Sequence, residues 1–402
     1  SSSVQIIDYR KILFKEMDNL PRPVGSIRFS ERVLDAIGDY LGYLPDSIWK
    51  QGVRFLLQST YKPGSTFTQA FARLLARILR GSGLILFDPR DAEAKRLTSR
   101  LFQCALRDAG PIRAALLQRN RELEAAGFHP QVSVPEKSTV LFLLEDGERY
   151  ALEQRGSCFG TKKGDRIFGL EELLLLAENA PEKFSPGVLL RPIVQDHLFP
   201  TVAYVAGSSE LAYFAQVEVL YRHFNRPMPV IWPRNSFTLL EPGIASMMDR
   251  LRIDIRDCFQ GRQRLTEMVM GNPGFSRAVD AVRRLQQRLD QVLTEIRPEV
   301  QNVEPPLAQA LETARRKIMH NTRRLQSRII RLEEAQNSPA LGAMDALLDN
   351  CFPNGGLQER AFSIHHFLAR YGPSVMDALR SATDVDNFDH RVLRLDARDR
   401  VA

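Results

Sequence analysis

The sequence predicts an α/β fold, a doubly wound parallel sheet carrying an antiparallel helical hairpin, and three observations predict it. Residues 84–89, LILFDP, form a short, wholly apolar run with helical patterns on both sides, as in a strand buried on both faces of a parallel sheet. An apolar run from Thr201 to Ala206 passes through Gly207 directly into a helical pattern opened by Ser208 and Ser209, giving strand, tight turn and capped helix. From Phe275 the pattern changes to two apolar seams with mostly alternating steps of three and four, the mark of a coiled coil.

Along the chain, Val4 to Phe14 reads as extended, Pro21 to Pro23 as a break, and Ser30 to Leu41 as a helix capped by Ser30. Phe67, Phe71, Leu74, Leu75, Ile78 and Leu79 share a helical face that Gly81 stops, and a further helix runs from Ala92 to Ala105. In residues 138–154 two apolar runs meet at Asp146-Gly147, which predicts a hairpin with a type I′ turn, inserted beside the sheet and followed by a helix around Leu170 to Glu178. Pro229 and Pro233 bound one more strand, because neither can donate to a ladder, and Arg234 ends it.

The first seam runs through Phe275, Val279, Val282, Leu285, Leu289, Val292 and Ile296 and stops at Arg297-Pro298. After about ten proline-bounded residues a second follows through Leu307, Leu311, Ala314, Ile318, Asn321, Leu325, Ile329 and Leu332. Asn321, polar on an apolar seam, is expected to fix register or oligomeric state. Two helices alone leave the flanks of both stripes open, so a homodimer is expected. These limits set a sheet core at 1–257, the hairpin at 258–340, and a segment at 341–402 whose closing HRVLRLD returns to the core.

Composition removes several classes. With 44% apolar and 26% charged residues over 402 positions the chain is globular and large enough for more than one domain. Cys104, Cys158, Cys258 and Cys351 form no C-x-x-C pair, which fits a reducing compartment and neither a zinc knuckle nor a disulfide framework. The start has no signal-peptide layout, and no apolar run approaches the roughly 18 residues of a membrane span, so the expected location is the cytoplasm. Neither a P-loop, a dinucleotide-binding glycine motif nor a nucleophile elbow is present. Adjacent His365 and His366 fall on different helical faces and predict no metal site. Between Gly274 and Glu334, 12 Lys or Arg stand against 8 Asp or Glu. That excess fits a solvated helix face, or an arm meeting an acidic partner.

Chemistry-bearing residues concentrate in 190–216: Arg191, Gln195, Asp196, Ser208, Ser209, Glu210, Tyr213 and Gln216. Holding an amino acid takes a carboxylate for its ammonium and donors for its carboxylate. Asp196 and Glu210 fit the first need, Arg191 and the Gly207 turn the second, and Arg234 fits a carboxylate or phosphate clamp. Each has a structural alternative. Glu210 suits a helix first turn without any ligand, Gln195-Asp196 suit a loop, Tyr213 suits core packing, and Arg234 suits an ion pair. Asn354-Gly355-Gly356 signals a turn, with Gln358, Glu359 and Arg360 opening the next helix.

LRPIVQDHLFPTVAYVAGSSELAYFAQ, MPVIWPRNSFTLLEP and FPNGGLQERAFSIHHFLARYG, in this order and with a coiled-coil hairpin before the third, resemble the bacillithiol biosynthesis cysteine-adding enzymes. The resemblance implies a Rossmann-like core with connecting insertions and a coiled coil supporting a dimer. It implies a ligase joining cysteine to the amine of glucosaminyl-malate, the last step to bacillithiol. Residues 207–210 read Gly-Ser-Ser-Glu where the family usually has a proline after the glycine. The family's upstream half-sheet, with its GQQ and EDHD motifs, is not found and there is no initiator Met, so a partial member is expected. Amide formation needs an activated carboxylate, hence a nucleotide (ATP or ADP), with Asp196 as the base for the acceptor amine. Two other classes compete: a tRNA-gripping α/β protein with a basic coiled-coil arm, and an inactive dimeric scaffold. Apart from Phe275 on its apolar seam the arm holds no Phe, Tyr or Trp for base stacking, which makes a nucleic-acid partner the weaker expectation.

Overall fold

The computed structural model describes residues 23–162, 166–270, 273–303, 305–334 and 338–396. The expected extended segment at 4–14 lies outside them. The chain divides between Asn235 and Ser236 into two compact units, with Asp384–Asp389 joining the first and the strand beyond it the second.

The first unit opens with α1 (Arg32–Tyr43), α2 (Lys50–Thr60) and α3 (Phe67–Ile78). Thr66 starts α3 through a capping box, its hydroxyl accepting from Gln69 N–H at 3.2 Å while the Gln69 carbonyl accepts from Thr66 N–H at 3.0 Å. Gly81 follows with φ +80°, as the sequence predicts. Residues 84–89 form no strand: Leu84 to Phe87 are exposed, Ile85 by 87%. A wholly apolar run becomes a buried strand only where neighbours satisfy both its edges, and none of the described residues pairs with this one.

The helix expected at 92–105 splits into α4 (Ala92–Leu97) and α5 (Ser99–Arg107) at Thr98, whose hydroxyl turns back to the Lys95 carbonyl at 2.8 Å. Next come α6 (Ala109–Ala125), β1 (Ser138–Glu145) and β2 (Glu148–Arg155). The type I′ turn forms as predicted, with φ +50° at Asp146 and +77° at Gly147. The strands β3 (Cys158–Thr161), β4 (Ile167–Phe168) and, after α7 (Leu170–Asn179), β5 (Phe184–Pro186) complete an antiparallel sheet ordered β4-β3-β2-β1-β5. Phe102, Leu106, Ile112 and Leu116 of α5 and α6 join Leu141, Leu143, Leu152, Phe159, Phe168 and Phe184 of this sheet in one core. Each such side chain stabilises the fold by about 1.5–3 kcal/mol.

Beyond the sheet lie α8 (Arg191–Leu198), β6 (Ala203–Ala206), α9 (Ser208–His223) and β7 (Val230–Pro233). β6 and β7 pair in parallel from Ala203↔Val230 to Ala206↔Pro233, with α9 as the crossover between them. Parallel pairing in this unit is confined, among the described residues, to these two strands.

The second unit begins with β8 (Ser236–Leu240), α10 (Pro242–Leu251), α11 (Ile255–Phe259) and α12 (Arg262–Met270). The hairpin consists of α13 (Pro273–Glu295), α14 (Arg297–Val303) and α15 (Pro305–Glu334). The proline-bounded link is itself helical, because Pro298 stands at the second position of α14, where its missing N–H costs nothing. Asn321 is exposed and does not set the register within the chain. Gln286 donates to Gln326 at 3.2 Å, Gln326 to Gln263 at 2.9 Å, and Arg315 pairs with Asp290 at 2.7 Å instead. The side chains of seam residues Phe275 and Leu332 lie outside the described set.

The chain ends with α16 (Ser338–Cys351), α17 (Ile364–Tyr371), α18 (Ser374–Ala382) and β9 (His390–Arg394). β9 returns, but to β8, in parallel from Ser236↔His390 to Leu240↔Arg394. Because β8 needs β9, the division falls at Ser236 rather than at the expected residue 257. Cys258 and Cys351, remote in sequence, are both buried free thiols in one core. No helix among the described residues is long and apolar enough to cross a membrane.

Candidate functional site

In the first unit the carboxyl end of β6 feeds α9, and the turn carries its own carboxylate. Glu210 Oε2 accepts from Gly207 N–H and Oε1 from the Tyr204 hydroxyl, both at 2.8 Å. Tyr204 spends its proton on Glu210, and the Tyr213 hydroxyl lies close enough to both to feel them. Burial first, then the neighbouring carboxylate, raises the Tyr204 hydroxyl well above an ordinary phenol, and burial raises Tyr213. Arg191, first residue of α8, is exposed and close enough to act electrostatically on Tyr213. Arg191, Tyr204, Glu210 and Tyr213 therefore form one polar group.

The Gly207 turn does not serve as the expected anion donor. Gly207 is buried, its N–H is used by Glu210, and Glu210 and Leu211 N–H both return to the Gly207 carbonyl. A carboxylate already balances the positive end of α9, so a second anion there meets repulsion. Ser208 and Ser209 stand exposed at the first turn, with backbone donors the helix itself cannot use. Arg234 lies beside them, its N–H extending the β6–β7 pairing to the Ala206 carbonyl at 2.9 Å.

Other predicted residues are occupied structurally. Gln195 and Asp196 lie in α8, not in a loop. Asp196 Oδ2 accepts from the Tyr221 hydroxyl at 2.6 Å, which ties α8 to α9. Gln216 is completely buried: its Oε1 accepts from Val132 N–H at 2.9 Å, and its Nε2 donates to Asn120 Oδ1 and the Val132 carbonyl at 2.7 and 2.9 Å. With those valences filled it clamps α9 to the 120–132 segment and cannot bind substrate.

In the second unit Asn354 and Gly355 take φ +53° and +75°, the turn their residue types predict. Gln358 then acts as a short strand. Its Oε1 accepts from Leu239 N–H at 2.8 Å, and its Nε2 donates to Leu239 and Asn350 carbonyls at 2.9 and 2.7 Å. Glu359 accepts from Phe237 N–H at 3.2 Å and pairs with Arg360 at 3.9 Å. These residues close the free edge of β8.

Two cations near α8 escaped sequence reasoning. Lys95 of α4, 8% exposed, donates to the Phe184 carbonyl at 2.7 Å, and Arg149 of β2 donates to Ser185 Oγ and the Pro186 carbonyl at 3.1 and 3.0 Å. No spacing signals them, because their common partner is β5. Among the described residues no group of three or more His, Cys, Asp or Glu is placed to hold a metal ion.

A strand–turn–helix unit with a polar cluster at its carboxyl edge, followed by a helical hairpin, defines a Rossmann-like α/β protein with a coiled-coil extension. Residues 3–235 match the family described as bacillithiol biosynthesis BshC, N-terminal Rossmann-like domain, and residues 237–395 match its C-terminal coiled-coil domain. The chain belongs to the BshC family. Relatives named "Putative cysteine ligase BshC" include one from Salinibacter ruber, 33% identical over 94% of this chain and 69% of the relative, and one from Solibacter usitatus, 33% identical over 93% and 70%. A third, from Symbiobacterium thermophilum, is 30% identical over 96% and 72%.

Proposed function

We propose that this protein is a ligase that adds L-cysteine to the amine of glucosaminyl-malate, the last step of bacillithiol biosynthesis. Its relatives' names support a cysteine ligase role. The observation that carries the finer reading is the pairing of an acid and a base of opposite charge on one edge, Glu210 within the Tyr204–Tyr213 chain and Arg191 beside it. Opposite charges on either side of Tyr213 suit an α-amino acid, its ammonium on Glu210 and its carboxylate directed to Arg191.

Cysteine's carboxylate is a poor electrophile; its oxygen attacks a phosphorus of ATP, a phosphoanhydride bond breaks with release of pyrophosphate or ADP, and the resulting acyl adenylate or acyl phosphate carries AMP or phosphate as its leaving group. The nucleotide's phosphates are directed to the Arg234 guanidinium at the end of β7, with the exposed Ser208 and Ser209 hydroxyls beside it, and not to the carboxylate-bearing start of α9. The acceptor amine attacks the activated carbonyl carbon, the AMP or phosphate departs, and the amine's proton passes to a base. Asp196 retains Oδ1 beyond its Tyr221 bond and takes that proton in this reading. Incubating the protein with cysteine, glucosaminyl-malate and ATP is expected to yield the cysteinyl adduct by mass spectrometry. No adduct in the presence of all three overturns the assignment.

The hairpin's exposed Leu285, Val292, Leu307 and Leu325, 40–52% accessible, support a homodimer through this element. Sedimentation equilibrium is expected to give twice the chain mass, and a monomer at micromolar concentration removes that partner.

A further inference from the structure

Three cations meet where the antiparallel sheet passes into α8. Lys95 and Arg149 are tethered to consecutive residues, Phe184 on one side and Ser185 and Pro186 on the other. The Arg149 guanidinium also lies flat over the Phe142 ring, 3.5 Å from its centroid. Gly187 brings the start of α8 against the same ring: its N–H reaches the Val140 carbonyl at 2.7 Å, and a Cβ there would sit 3.0 Å from that oxygen and 3.5 Å from Phe142 Cε2. A larger residue would have to push the Val140 carbonyl aside by a few tenths of an ångström. One turn later Arg191 N–H closes on the Gly187 carbonyl at 3.0 Å and its side chain leaves the helix exposed.

Among the described residues none of the three has a carboxylate within 4.0 Å. Their neutral partners are three carbonyl or hydroxyl oxygens, which orient N–H groups without cancelling charge. A nearly buried ammonium with two unspent donors is costly unless an anion completes it.

We propose that Lys95 and Arg149, with Arg191 at the border shared with the cysteine carboxylate, form a binding site for a doubly charged oxyanion, a dicarboxylate or a phosphate group of a substrate. The ligand would complete the positive cluster beside the Glu210 site, and the proposal rests on the ligase reading only for which substrate brings that group. Burial first, then the charges of Arg149 and Arg191, pulls the Lys95 ammonium down to about 8, and burial and Arg191 lower Arg149, as expected for cations gathered without a counter-ion. A dicarboxylate source is the malyl part of the acceptor; a phosphate source is the nucleotide.

Calorimetric titration of the full chain with malate, inorganic phosphate and ADP, each without cysteine, tests it. One of these is expected to bind with Kd below about 10 mM and to weaken with added salt. Lys95→Met and Arg149→Met are each expected to weaken it at least about tenfold, the loss of one charge-assisted contact. Malate binding most tightly assigns the site to the acceptor; phosphate or ADP binding most tightly assigns it to the nucleotide. No binding of any probe to the unsubstituted chain, or equal binding by both folded variants, overturns the proposal. Binding lost in the variants while no adduct forms in the ligase assay leaves the anion site standing and removes the ligase reading.

Discussion

Glu241→Ala is expected to destabilise the second unit by about 3–5 kcal/mol, the cost of breaking a buried ion pair by removing one partner. Glu241 is 4% exposed and stands between the end of β8 and the start of α10. It accepts from His366 Nε2 at 3.1 Å and from the Tyr371 hydroxyl at 3.2 Å, and it pairs with the Arg370 guanidinium. Deleting the carboxylate strands a guanidinium and an imidazole in the interior, where each loses water without regaining a partner. Against the desolvation that burial imposes, His366 and Arg370 hold the Glu241 carboxyl at about 2. Because the folded value lies below the unfolded one, the carboxylate's contribution is present above pH 4.5 and is lost as pH falls through about 2. Urea unfolding followed by circular dichroism at neutral pH measures the loss, and Glu241→Gln is expected to flatten the acid dependence below pH 4.5. A shift under about 1 kcal/mol in the alanine variant would show that the network is dispensable.

What the sequence made legible is what short-range chemistry dictates. Asp146 and Gly147 specify their hairpin because both central residues of a type I′ turn need positive φ. The two seams specify the hairpin helices because apolar steps of three and four sustained over several turns place every seam residue on one helical face. Glu210 was legible as a first-turn carboxylate three residues beyond Gly207. What stayed hidden depends on partners far along the chain. Lys95 sits in an AEAKRL helix that reads as solvent-facing, and only the Phe184 carbonyl, 89 positions away, buries it. Gln216 and Val132 are 84 positions apart, and Glu241 and His366 are 125 apart. Residues 84–89 show the converse error, since apolarity marks a segment able to join a sheet but carries no information about whether neighbours are there to pair with it.

Glu210→Gln is expected to raise the KM for cysteine roughly 10- to 100-fold while leaving kcat nearly unchanged. The amide keeps the shape of the carboxylate and still offers an oxygen to Gly207 N–H or the Tyr204 hydroxyl, so the turn into α9 survives and charge is the principal loss. A cation held equally in the ground and transition states contributes binding without contributing rate, which places the effect in KM. Were Glu210 instead the base for the acceptor amine, kcat would fall and the acidic limb of its pH profile would vanish. Arg191→Met on the opposite end of the amino acid is expected to move the same parameter by a similar factor, and the double variant to lose less than the product of the two, since one misplaced end already releases the other. Steady-state kinetics over varied cysteine distinguish these outcomes. An unchanged KM in folded Glu210→Gln would mean that the carboxylate serves only to cap α9, and the amino acid would then have to be sought at another edge of the protein.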